Sequence, residues 1–105
     1  MTRQGQIAVI FMSVRTDADA DGYAAAAEAM EARAALQRGC RGFHSARGAD
    51  GLGITVSYWA DDDCAKAWRD DPEHKLIRDA GRDRWYQRYE LVVAKVERDY
   101  DWQRA

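Results

Sequence analysis

The order of elements along the chain predicts an α+β fold of the ferredoxin-like type, β-α-β-β-α-β, with a four-stranded antiparallel sheet and both helices on one face. Three observations predict it. Apolar runs of strand length stand near both ends, at residues 6–14 (QIAVIFMSV) and within residues 88–98 around LVVAKV. An alanine-rich stretch with helical spacing follows the first run. Two β-rich segments joined by a Gly-Ala-Asp-Gly turn occupy the middle, and a helical region broken at Pro72 leads to the last strand.

Each element has its own warrant. Residues 6–14 are rich in Val and Ile without alternation, as expected of a central strand covered on both faces. The polar residues 17–21 supply an N-cap, and over residues 22–38 Tyr23, Ala27, Met30 and Ala34 fall on one helical stripe. Apart from Tyr23 and Met30 that stripe is small, so the helix can lie close to a sheet, and Gly39 ends it as a C′ glycine. Cys40–Arg47 and Leu52–Trp59 read as a hairpin about the turn at residues 48–51. Ile54, Val56 and Tyr58 share one face of the second hairpin strand, while Thr55, Ser57 and Trp59 share the other. The first face is apolar and the second mixed, which suits a cavity or an interface. Asp61 is a good N-cap for a short helix reaching Asp70, and Asp71-Pro72 restarts the chain as cap and first turn of the next. That helix carries Leu76, Ile77 and Ala80 and is expected to stop at Gly81. Trp85-Tyr86 bridges to the last strand, residues 88–98, whose run from Leu91 to Val96 is again expected to be buried on both sides.

At 105 residues the chain is expected to be one domain, 1–105, with a single core. Its 47% apolar and 32% charged residues are those of an ordinary globular protein. A net charge of −2 and a pI near 5.6 give no electrostatic footprint for nucleic acid or for an anionic membrane, so neither is expected as a partner. No apolar run approaches the roughly 20 residues that span a bilayer, and the first residues lack the apolar segment of a signal peptide, so a cytoplasmic location is expected. Cys40 and Cys64 form no C-x-x-C pair and read as free thiols. With helices on one face only, the apolar other face must pack on something, most simply a second copy of the chain, giving a homodimer. The tail after Val96 keeps Tyr100 and Trp102 and is expected to reach over that partner subunit.

Functional residues concentrate between residues 58 and 100, where three of the four tryptophans and one of the two histidines fall. His74 is the candidate general base, because imidazole exchanges a proton near neutral pH and the N-terminus of the Pro72 helix favours its neutral form. Trp68 ends one short helix and His74 begins the next; on a continuous helix the pair would stand about 120° apart, so the break at Pro72 lets them converge. Alternatively His74 only hydrogen-bonds a neighbouring strand or caps its own helix, and Trp59, Trp68 and Trp85 only fill the core. Other constellations carry less. His44 and Cys40 lie roughly 13 Å apart on an extended strand, with no further ligand at a metal-like spacing, so no metal site is expected. Asp61-Asp62-Asp63 lacks the alternating ligands and terminal Glu of a calcium loop. Arg82, Asp83, Arg84 and Arg88 have no Gly-rich loop beside them to hold a phosphate.

Taken together, Tyr23 to Met30 on the first helix, Gly39-x-x-Gly42-Phe43, Gly53-Ile54-Thr55-Val56-Ser57-Tyr58-Trp59, Trp68, His74, Gly81, Trp85-Tyr86-x-x-Tyr89 and Val96-Glu97-Arg98-x-Tyr100 resemble the antibiotic biosynthesis monooxygenase superfamily over nearly the whole chain. The resemblance implies a dimeric α+β barrel, two sheets facing each other, with a pocket between sheet and helices in each subunit. In the quinone oxygenases of the superfamily a Trp is followed six positions later by a Tyr facing the substrate; here that interval runs from Trp68 to His74. The haem-degrading branch has a His ten positions after its Trp and an Asn on the first strand, whereas here position 78 is Arg and no asparagine occurs. The resemblance therefore implies a monooxygenase working without a cofactor on a small aromatic or quinone-like molecule, with His74 catalytic and Trp59, Trp68, Trp85 and Tyr86 around the substrate. The alternative is a dimer of the same build that binds a small apolar ligand without turning it over.

Overall fold

A computed structural model describes residues 2–105. Strands β1 (Ile7–Arg15), β2 (Cys40–Arg47), β3 (Leu52–Trp59) and β4 (Tyr86–Lys95) form one antiparallel sheet in the order β2-β3-β1-β4. Helices α1 (Ala20–Ala35), α2 (Asp62–Arg69) and α3 (Pro72–Ala80) cross one face, so the order is the ferredoxin-like one. No helix among the described residues is long and apolar enough to cross a membrane.

The strand registers sort the side chains. His44, Val56, Ile10 and Val92 lie in one row across the sheet, and Ala46, Ile54 and Met12 in the next; these belong to the bare face. Phe43, Ser57, Val9 and Val93 form the corresponding row on the helix side, followed by Ser45, Thr55, Phe11 and Leu91. The mixed face of β3 is thus the one beneath the helices. The core lies at one end of that layer, where Ile7, Ala34, Trp59, Cys64, Ala65 and Trp68 pack together.

Several expectations need correction. Helix α1 ends at Ala35 rather than at residue 38, and the chain then turns through Gly39 at φ 82° into β2. A side chain at Gly39 would collide with the Cys64 sulfur, so both its backbone conformation and the space around it call for glycine. Gly81 does not stop the helical region, which continues as a π-helical turn over Gly81–Trp85. Gly81 is buried there, and a Cβ would come within 2.7 Å of the Tyr86 ring, so the residue serves packing rather than termination. Strand β4 begins at Tyr86 and ends at Lys95, earlier than expected at both ends. The runs in β1 and β4 are not covered on both sides within the chain. One face of β1 is bare, and β4 is an edge strand beyond the helices, with Leu91 52% and Val93 53% exposed.

Candidate active site

Capping builds the site. Asp61 accepts the Cys64 N–H at 2.8 Å to start α2, and Asp71 accepts the His74 N–H at 3.1 Å to start α3 with Pro72 in its first turn. Arg33 of α1 grips Asp71 with two bonds of 2.9 Å, tying the first helix to the cap of the third. The break between α2 and α3 folds His74 back onto Trp68. Their rings stack at 4.2 Å and 12°, and His74 Nδ1 lies 2.9 Å from the Trp68 carbonyl oxygen. A carbonyl only accepts, so Nδ1 carries the hydrogen and the lone pair of the neutral ring sits on Nε2. Burial pushes the His74 pKa below 6.5 and the Arg78 charge pushes the same way, against the Trp68 carbonyl and Asp71. At neutral pH the ring is an uncharged base.

The bond from Arg33 holds the Asp71 carboxyl down at about 2, against 3.8 unperturbed. A depressed carboxylate stabilises the fold above the unfolded value, and that contribution disappears as pH falls from 3.8 toward 2. We expect thermal melts of the wild type to show this acid-linked loss. Asp71→Asn, which can still cap α3, should lack it; an identical pH dependence in the variant would remove Asp71 as its source.

A cavity of about 490 Å³ lies between the helices and the sheet. His74, Trp68, Trp85 and Tyr86 all stand on its wall. Trp59 does not. It is 0% exposed and lies behind Trp68, the two rings stacked at 6.0 Å, with its Nε1–H donated to Ser57 Oγ at 3.0 Å. The reason is the placement of α2 directly over the end of β3, which brings Cys64, Ala65 and Trp68 onto the ring. Leu91 and Val93 line the cavity yet stay half exposed, so its mouth opens toward the β4 edge. Sequence reasoning gave no site role to Phe11, Tyr23 and Tyr89, which also stand on the wall. Phe11 meets Tyr86 at 5.5 Å and Tyr89 at 5.3 Å, and Tyr23 meets Tyr86 edge-on at 5.8 Å. The helical stripe beginning at Tyr23 was the signal available for it. Among the described residues no three His, Cys, Asp or Glu side chains gather as a metal site.

A small ferredoxin-like domain with an aromatic cavity and a neutral imidazole on its wall defines the class. The sequence model for antibiotic biosynthesis monooxygenases matches residues 6–80, and the chain belongs to that family. It is 48% identical over 91 residues to the uncharacterised protein YqjZ of Bacillus subtilis, covering 87% of this chain and 79% of that one. Among solved structures, Rv0793 of Mycobacterium tuberculosis superposes with a TM-score of 0.77 at 16% identity, over 87% of this chain and 94% of that one. SnoaB of Streptomyces nogalater, a cofactor-independent oxygenase, superposes with a TM-score of 0.75 at 16% identity, over 88% and 93%. At such identities these structures speak for the fold alone.

Proposed function

We propose that the chain is a cofactor-independent monooxygenase of a small aromatic or quinone-like substrate, with His74 as its proton-transfer group. The observation that carries this reading is the His74 ring, fixed by Trp68 with Nδ1–H engaged and its basic nitrogen left over, on the wall of a largely apolar cavity. In such chemistry Nε2 takes a proton from an electron-rich CH2 group, the carbanion reduces O2 and captures it as a hydroperoxide, and loss of water leaves a carbonyl. One CH2 and one O2 become one C=O and one H2O. SnoaB, named as a cofactor-independent oxygenase, shares the fold and supports the reading. O2 uptake measured with a panel of anthrones and quinols tests it. Uptake with one-to-one product formation is expected; ligand binding without uptake would favour a binding module instead.

The proposed working form is a homodimer formed through the bare face. That face carries Ile10, Met12, Ile54, Val56 and Val92 in adjoining rows, more contiguous apolar surface than a soluble monomer leaves in water. Light scattering should give twice the chain mass of 11.9 kDa, and Ile54→Asp, at a position already 43% exposed, should give the monomer. A wild-type monomer at micromolar concentration would refute the dimer. The tail supports the same arrangement: Asp99 is pinned by the Arg3 N–H at 2.8 Å, while Tyr100 and Trp102 beyond it are 86% and 77% exposed. Deleting residues 99–105 should weaken dimerisation, and an unchanged dissociation constant would exclude the tail from the interface.

A further inference from the structure

At the end of the cavity away from Trp68 lies a second built cluster. On α1, Tyr23 stands eleven residues before Ala34, about 16 Å along the helix from the core where Trp68 packs. Gly53 of β3 lies between Arg47 of β2 and Ser13 of β1 in one row of the sheet. A side chain at Gly53 would collide with the Arg47 guanidinium, so the missing side chain lets Arg47 lie flat across β3. From there it donates to Ser13 Oγ at 2.8 Å, to the Ser13 carbonyl at 3.2 Å and to the Tyr23 hydroxyl at 3.0 Å. Ser13 is buried, and the Arg15 guanidinium sits 3.9 Å over the Tyr23 ring.

The hydrogen-bond arithmetic at this cluster is one-sided. A guanidinium has no lone pair to offer, so the Tyr23 oxygen accepts from Arg47 and its own proton must point elsewhere. Its neighbour is Tyr86, whose phenol burial and the Tyr23 hydroxyl push well above the usual range, keeping it protonated. Among the described residues neither hydroxyl donates to a carboxylate or a carbonyl. Tyr23 and Tyr86 both line the cavity, and of their two phenolic protons at most one is consumed between the pair, so at least one is left for a ligand. Backed by two guanidiniums, this end of the cavity offers at least one phenolic donor that no carboxylate or carbonyl engages, the phenol oxygens themselves being the acceptors at hand.

We infer that Tyr23 and Tyr86, with Arg47 behind Tyr23, form a subsite for an oxyanion of the ligand, a phenolate or enolate oxygen. The inference rests on the cavity being the substrate site. It also names the substrate class more closely: a conjugated molecule that carries a ketone or phenol oxygen remote from the carbon that His74 deprotonates. Conjugation then carries the negative charge away from His74 to the oxygen at Tyr23 and Tyr86, where charge-assisted donors are already in place. The ligand's oxygen supplies the acceptor for the phenolic proton left over by the pair.

The probe is 2-hydroxyanthraquinone, a phenol that ionises near neutral pH with a colour change and has no oxidisable CH2. Saturated with wild-type protein, it should bind as phenolate about tenfold or more tightly than as phenol, which lowers its apparent pKa by about one unit. Tyr23→Phe should abolish most of that shift while leaving Arg47 on Ser13. Gly53→Ala, which pushes the guanidinium off Tyr23 without removing its charge, should do the same, and Arg38→Met, an exposed guanidinium elsewhere, should change nothing. Failure of the probe to bind, an unshifted pKa in the wild type, or a full shift retained in both Tyr23→Phe and Gly53→Ala would overturn the subsite. A retained wild-type shift without O2 uptake on any anthrone would sink the oxygenase reading and leave the subsite standing; uptake without the shift would do the reverse.

Discussion

Trp59→Ala is expected to cost about 3–5 kcal/mol of folding stability, the largest structural effect of any single truncation in this chain. Among the described residues Trp59 is the only large apolar side chain with no exposure at all, and it joins the two halves of the core. Below it stands its strand neighbour Ile7, and above it Ala34 of α1 and Cys64, Ala65 and Trp68 of α2. Its one polar group is satisfied by Ser57, so the ring is buried at no hydrogen-bonding cost. Removing it leaves a cavity that the sheet cannot collapse into, because β1 and β3 are held by their ladder. Against a total of about 5–15 kcal/mol for a domain of this size, the loss should lower Tm by roughly 12 °C or more. Trp59→Phe, which keeps most of the volume, should lose far less. Circular dichroism melts decide it: an Ala variant melting within a few degrees of the wild type would show that Trp59 is not the keystone of the core.

What the sequence disclosed follows from how local each signal is. The hairpin bounds Cys40–Arg47 and Leu52–Trp59 were legible because a Gly-rich turn and β-branched alternation are written within a dozen residues. The caps at Asp61 and Asp71, and the break at Pro72 that brings Trp68 and His74 together, are local in the same sense. Gly81 misled because glycine marks both helix ends and close packing, and only the Tyr86 ring above it tells the two apart. Leu91 and Val93 read as buried because an edge strand and a central strand can share one apolar pattern; pairing with β1 alone makes β4 the edge. Trp59 and Trp68 are alike as residues. Which one meets the cavity is set by where α2 lands, a fact of tertiary structure. The Arg47 contact with Tyr23 joins residues 24 apart and depends on an absent side chain at Gly53, so no spacing rule could announce it.

If the chain is the oxygenase proposed, His74→Ala should lower turnover by about 10²-fold or more while the fold survives, as expected for loss of a general base. The fold survives because the imidazole is not the sole partner of the Trp68 carbonyl, which also accepts the Asp71 N–H at 3.2 Å. The cap of α3 uses the His74 backbone N–H, which any residue supplies. His74→Phe separates stacking from proton transfer: a phenyl ring can still lie on Trp68 but has no lone pair, so it should be as slow as the Ala variant. The pH profile gives an independent reading. Catalysis needs the neutral ring, and burial holds its pKa below 6.5, so kcat/KM should fall on the acid side with a midpoint below 6.5. The same shift has a stability side. A histidine depressed in the fold binds its proton more readily when unfolded, so stability should decline as pH drops from 6.5 through the lowered value, a decline His74→Phe should lack. An acid limb with its midpoint above pH 6.5 would mean that some other group titrates in the rate. Full turnover in His74→Phe would remove the imidazole from the chemistry and leave it as the packing partner of Trp68.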